Sequence, residues 1–317
     1  MIEGIWPWVA FNALVMGLLA LDLGVFHRKA HAVSAREAGA WSAIWVSLSL
    51  LFCLGVYRLA GPQAGTEWLT GYLIEKSLSV DNIFVFVLIF AAFRVPAIYQ
   101  HRVLFWGILG ALIMRALMIL GGVLLLERFG WVIYVFGALL ILTGIRMAFE
   151  SEKEFDVEAG LGVRLARRLF PVTPTFHGAR FFVREHGVLA ATPLFVALMV
   201  VEVTDLIFAV DSIPAIFAVT RDPFIVYTSN VFAILGLRSL YFLLAGVVDR
   251  FHLLKFGLAA ILVFVGGKML LSDVAHVPTT VSLGVIAALL TASVVASLAI
   301  PPKDDVAPEP APDPAPE

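Results

Sequence analysis

The stretch "EVTDLIFAVDSIPAIF", residues 202–217, sets Glu202, Asp205 and Asp211 within ten positions of otherwise apolar sequence. Near the centre of a bilayer each ionised acid opposes insertion by about 2.5–3.5 kcal/mol, so three oppose it by roughly 7–10 kcal/mol unless something compensates them. A second stretch, "EKSLSVDNIF" (75–84), carries Glu75 and Asp81 beside Asn82. Ser79, Thr204 and Ser212 add hydroxyls, and neither stretch holds a His or a Cys. An all-oxygen donor set suits hard cations such as Mg²⁺, Ca²⁺ and Mn²⁺ better than Zn²⁺ or Cu⁺. Five carboxylates favour a divalent ion over Na⁺. The candidate ligands are therefore Glu75, Asp81, Glu202, Asp205 and Asp211, with Asn82 and Ser212 beside them.

More than three residues from the ends of the apolar runs lie six acids, Asp22 being the sixth, against only Lys76, Arg115 and Arg238. Three bases cannot neutralise six acids; the surplus needs protons, a cation or water. Ion pairing that merely holds a helix bundle together is one alternative, and a proton relay is another. Arg115 and Arg238 are expected to pair with the acids, compensating charge or gating the site while no cation is bound. Asp22 lies toward the end of its run, where a cap or gate fits as well as ligation. On an ideal helix six residues turn ~600°, which points Glu75 and Asp81 about 120° apart, and Asp205 and Asp211 likewise. Unwinding of the backbone would let them converge, and Pro214 makes an interruption plausible there.

The elements that must position these groups are membrane spans. The chain has 317 residues, 61% hydrophobic and 15% charged, where a soluble chain carries about 25% charged residues. Apolar runs long enough for a bilayer fall at about 5–26, 41–60, 67–92, 103–126, 129–149, 190–219, 224–248, 252–271 and 279–300. The expected class is an all-α polytopic membrane protein with about nine transmembrane helices. With the N-terminus outside, the inner connections hold 15 Lys and Arg and the outer ones 4, which predicts an external N-terminus and a cytoplasmic C-terminus. The acidic, non-basic start "MIEGIWPWVAF" reads as a retained helix rather than a cleaved signal. The lone Cys53 leaves no partner for a disulfide within the chain. In "GLGVRLARRLF", Leu161, Leu165 and Leu169 share a helical face beside Arg164, Arg167 and Arg168, the pattern of a helix resting on lipid headgroups. The tail 301–317 is rich in Pro, Ala and acids and is expected to be disordered.

The two acidic stretches also open a repeat. Aligning 75–84 with 205–214 pairs Glu75 with Asp205, Asp81 with Asp211 and Asn82 with Ser212. Downstream, Arg94-Val95-Pro96 pairs with Arg221-Asp222-Pro223, and Arg115 with Arg238. Residues 129–147 then align without gaps to 251–269, pairing Gly144 with Gly266. Each unit holds three spans, so the second must start from the opposite membrane face. Inverted 3+3 repeats are the architecture of alternating-access transporters. The expected organisation is an N-terminal helix pair at 1–62, repeat one at 67–150, a cytoplasmic basic loop at 151–188, repeat two at 189–272, a last span at 278–300 and the tail.

At "EKSLSVDNIFVF" and "TPLFVALMVVEVTDLIFAVDSIPAIFAVTRDPFIVYTSNVFAILGLRSLYFLL" the chain resembles the TerC family of integral membrane proteins, over about residues 8–271. The resemblance implies a cytoplasmic-membrane protein of metal-ion homeostasis, with Alx-type bacterial members exporting Mn²⁺. It places the family's acidic motif residues on Glu75, Asp81, Glu202, Asp205 and Asp211. Two functions stand open. One is export of Mn²⁺ or a similar divalent cation by alternating access, with proton exchange as a companion step. The other is a membrane scaffold or assembly factor, for tellurium resistance or for metallation or insertion of other proteins. No nucleotide-binding motif, HExxH or redox pair is present, so neither enzymatic activity, a resident cofactor nor a nucleic-acid partner is expected. The expected partners are the bilayer, the transported cation and protons; the sequence names no protein partner.

Overall fold

The computed structural model describes residues 4–24, 34–149, 160–185, 187–245, 251, 253–274 and 277–300. The side chains of Asp22 and Asp81, and the tail 301–317, lie outside the described residues. The chain is a helical, multi-pass membrane protein. Its helices are α1 (Ile5–Gly24), α2 (Ala35–Ala60), α3 (Pro62–Ala92), α4 (Ala97–Arg128), α5 (Val132–Phe149), α6 (Leu161–Leu169), α7 (Pro193–Phe217), α8 (Pro223–Leu235), α9 (Leu237–Leu244), α10 (Leu254–Leu270) and α11 (Thr279–Ala299). A hairpin of β1 (Phe182–Glu185) and β2 (Val188–Ala191), pairing Phe182 with Ala191, sits between α6 and α7.

Among the described residues six helices are long and apolar enough to cross a membrane: α2, α4, α5, α7, the α8–α9 pair and α11. The other three predicted spans fall on α1, α3 and α10, which are helices as well. α10 is short, at 17 residues. α3 is long, at 31 residues, and carries Glu75, Lys76 and Asp81 along its middle.

Local chemistry fixes where these helices begin. Ser34 caps α2, its hydroxyl accepting from Glu37 N–H at 3.3 Å. The Asp222 carboxylate accepts from Phe224 and Ile225 N–H at 2.9 and 3.3 Å, with Pro223 in the first turn of α8, where a missing N–H costs nothing. Gly61, at φ +97°, makes the tight corner between α2 and α3, a backbone state that a side chain would strain.

α3 is the central element, packed against α2, α7, α8, α9, α10 and α11. α7 lies beside it and also meets α4, α5 and α6. The two acid-bearing helices are therefore neighbours.

An interruption occurs, but not at Pro214. α7 continues through Pro214, which sits only three residues before its last residue, Phe217. Membrane helices tolerate a proline where neighbours or local adjustments satisfy the freed carbonyl. The break falls instead at Gly236, between α8 and α9, where the Lys76 ammonium donates to Ala233 C=O at 3.2 Å.

α5 and α10 make the most extensive helix pair, and glycines let their backbones meet. A Cβ at Gly266 would lie 2.6 Å from the Gly137 carbonyl oxygen and 2.9 Å from Ile141 Cγ1. A Cβ at Gly144 would lie 2.7 Å from the Ala259 carbonyl oxygen and 2.9 Å from Val263 Cγ2. In the alignment of 129–147 with 251–269, Gly137 pairs with Ala259, Ile141 with Val263 and Gly144 with Gly266. Each contact is thus matched by its own counterpart with the partners exchanged.

In α6 the small residues Gly162, Val163 and Ala166 are buried, Gly162 lying directly on the backbone of Val200 in α7. Leu161, Leu165 and Leu169 are 65, 40 and 56% exposed, so the leucine face looks outward.

Candidate cation site

Glu75 on α3 and Asp205 on α7, which align with each other in the sequence, converge on one arginine. Arg115, from the middle of α4 and 1% exposed, forms a salt bridge with Glu75 through Nη1 and reaches Asp205 Oδ1 at 3.4 Å through Nη2. The same Nη1 lies 3.2 Å from Ser212 Oγ and 3.1 Å from Asn230 Oδ1. Asn230, on α8, in turn donates to the second Glu75 oxygen at 3.1 Å. Four helices therefore meet at one guanidinium, whose planar fork can serve several acceptors at once. Two buried carboxylates stand against the Arg115 guanidinium in this cluster, with the Lys76 ammonium also interacting with Glu75. Among the described residues, Asp205 Oδ2, Ser79 Oγ and Arg115 Nε have no hydrogen-bond partner. The unused Asp205 oxygen fits the chemistry of a hard cation.

The other predicted residues are spread along α7. Glu202 is half-buried one turn before Asp205, its carboxyl group seated against Gly110 of α4. Asp211, also half-buried, accepts from the Thr143 hydroxyl of α5 at 3.0 Å. From Glu202 to Asp211 the helix rises ~13.5 Å, so these carboxylates form a ladder rather than one shell. Among the described residues no three His, Cys, Asp or Glu side chains gather closely enough to hold a metal by themselves. Asn82 is buried on α3, and Arg238 is buried on α9. Asp22 and Asp81 lie on α1 and α3.

Beside Asp205 a small cavity opens between α3, α4, α7 and α9, walled by Phe86, Gly107, Ala111, Val201 and Leu237. It has room for about one water molecule. Asp205 is the acid on its wall.

Three participants escaped the sequence reading: Asn230, Thr143 and Gly110. Asn230 had a signal, because an amide inside "YTSNVFAIL" is a polar group in a membrane helix and needs a partner. Nothing in the sequence names that partner.

The profile of the integral membrane protein TerC family matches residues 60–305, which takes in both acidic helices and the arginine between them. The chain belongs to the TerC family. Among curated TerC-like relatives, "Uncharacterized membrane protein STKORF319" of Myxococcus xanthus is 62% identical over 291 residues, covering 92% of this chain and 91% of its own. The "Putative membrane-bound redox modulator Alx" of Escherichia coli K12 is 52% identical over 293 residues, covering 89% of this chain and 91% of its own. A membrane protein of Rickettsia bellii is 43% identical over 291 residues, covering 92% and 96%. No solved structure matches this TerC chain.

Proposed function

We propose that this TerC protein exports a hard divalent cation, Mn²⁺ before others, through the intramembrane carboxylates by alternating access. The observation that carries the reading is the convergence of Glu75 and Asp205 on Arg115, with an unpartnered Asp205 oxygen beside a water-sized cavity. Buried acids in excess of their bases mark ion pathways in membranes. The ladder from Glu202 to Asp211 supplies carboxylates on either side of that cluster. Asp81, Asn82 and Ser212 complete the proposed oxygen set, and Arg238 and Asp22 are proposed to balance charge or gate.

Nine spans in an inverted 3+3 repeat are part of this proposal. The exchanged contacts across α5 and α10 support it, because a two-fold axis requires that when i touches j, the counterpart of j touches the counterpart of i. The residue numbers of each contact fall on one helix as they rise on the other, as for antiparallel helices. We place the protein in the cytoplasmic membrane with its N-terminus outside and C-terminus inside, following the Lys and Arg asymmetry. Protons are the proposed exchange partner, and no enzymatic step or resident cofactor enters the scheme. The words "redox modulator" in the relatives' name fit movement of a redox-active ion better than dithiol chemistry, since the chain has one cysteine.

The test is Mn²⁺ efflux from loaded cells carrying the parent, Asp81→Asn or Asp211→Asn at matched membrane abundance. Both variants keep side-chain shape and delete a charge, and efflux should fall sharply. Parental efflux in both would end the cation reading and favour the scaffold alternative. The outward leucine and arginine face of α6 is the surface such a scaffold would use.

A further inference from the structure

Glu202 reaches its position through a gap that a glycine leaves. A Cβ built on Gly110 would fall on the Glu202 carboxyl group, meeting its carbon and both of its oxygens first. Gly107, one turn earlier on α4, lets Val201 approach, though less tightly: its Cβ would lie 3.1 Å from Val201 Cγ1. Gly107 and Ala111 then wall the cavity beside Asp205. These positions share one face of α4, and Glu202 and Asp205, three residues apart, share the facing side of α7. The second observation is Asp205 itself. It is 3% exposed, its Oδ1 is held by Arg115, and its Oδ2 has no partner among the described residues.

We propose that Gly110 is a positioning residue that seats Glu202 as the loading carboxylate for the transported cation. The inference rests on the cation-transport reading above and adds an order of events to it. Glu202 is the half-buried acid and Asp205 the buried one, so an ion arriving with its water meets Glu202 first. The glycine notch holds that carboxyl against α4, one helical turn from the cavity. A hard divalent cation gives up waters reluctantly and exchanges them for oxygens one at a time. The one-water cavity lies beside that route, with the free Asp205 oxygen as the next ligand. Arg115 closes the far side by occupying the other Asp205 oxygen and Glu75. In this scheme the side chain at position 110 sets how readily the protein loads its ion, without itself touching it.

Mn²⁺ uptake into proteoliposomes tests this with the parent, Gly110→Ala, Glu202→Gln and the double variant Gly110→Ala/Glu202→Asp. Displacing the carboxyl by Gly110→Ala should raise the Mn²⁺ concentration for half-maximal rate about tenfold, with maximal rate changed far less. Glu202→Gln should shift it at least as much. Aspartate is one methylene shorter, so the double variant clears the added methyl and should recover to within about threefold of the parent. The inference is overturned if Gly110→Ala keeps parental half-saturation, or if the double variant is no better than Gly110→Ala at equal abundance. If Gly110→Ala does not accumulate, the double variant is compared with Glu202→Gln instead, and equal half-saturation in those two overturns it. A parent that moves no Mn²⁺ would end the transport reading. A parent that moves Mn²⁺ and an Asp211→Asn protein that does not, beside a normal Gly110→Ala, would end only the role of Gly110.

Discussion

Asn230 holds both members of a buried ion pair: its amide donates to Glu75 Oε2 at 3.1 Å while its carbonyl oxygen accepts from Arg115 Nη1 at 3.1 Å. One amide therefore fixes the relative position of a carboxylate on α3 and a guanidinium on α4. Replacing it by a leucine of similar volume strips one hydrogen bond from each. Leaving buried groups unsatisfied costs about 1–3 kcal/mol, so Asn230→Leu should lower the unfolding temperature of the detergent-purified protein. Asn230→Gln should recover little, because the longer arm cannot keep both bonds. Thermal unfolding of the three proteins side by side decides it.

Arg115 should be harder to lose than any one acid it binds. Removing one member of a buried pair leaves uncompensated charge, at about 3–5 kcal/mol. Arg115→Ala should therefore sharply reduce membrane abundance, and Arg115→Lys should not restore it, since an ammonium lacks the fork that reaches Glu75 and Asp205 together. The combined Arg115→Met/Glu75→Gln protein should accumulate better than Arg115→Ala alone. Immunoblots of membrane fractions give the comparison.

Thr143 supplies the donor to Asp211. Thr143→Val is nearly isosteric and removes a bond worth about 1 kcal/mol, so abundance should hold while Mn²⁺ half-saturation moves several-fold. Thr143→Ser keeps the hydroxyl and should behave as the parent. Equal behaviour of the Val and Ser variants would show that Asp211 does not depend on α5.

The α5–α10 seam should be intolerant of even one methyl. At Gly137 a Cβ would sit 2.9 Å from the Gly266 carbonyl oxygen, and backbone cannot move aside as a flexible side chain can. Gly121, on α4, has nothing within 4 Å of the same point. Gly137→Ala should therefore destabilise, whereas Gly121→Ala should be neutral or gain up to about 1 kcal/mol from helix propensity. Thermal unfolding of this pair separates close packing from propensity.

The helices were legible because apolar runs and charged connections are one-dimensional signals, and Arg115 was expected among acids because a guanidinium facing lipid is costly. Partners were less legible. Glu75 and Asp205 could be aligned as counterparts, but that they share one arginine depends on how α4 packs against α7. Glu202 could be counted as an acid, yet its seat on Gly110 is a property of helix rotation. Gly236, not Pro214, breaks its span. Pro214 frees one carbonyl that local adjustments can satisfy, whereas Gly236 sits mid-span with the Lys76 ammonium 3.0 Å from the position its Cβ would take. Residues that touch across 90 to 160 positions leave no local trace of their meeting.

Gly162 rests α6 on the backbone of α7 at Val200, two positions before Glu202. The contact has no flexible side chain between the two helices to absorb a shift. Any rotation or slide of α7 during the proposed transport cycle must therefore carry α6 with it, like a pointer fixed to a shaft. A dye attached at Leu165, on the outward face of α6, would turn the motion of an acid-bearing helix into a signal readable from outside the bundle.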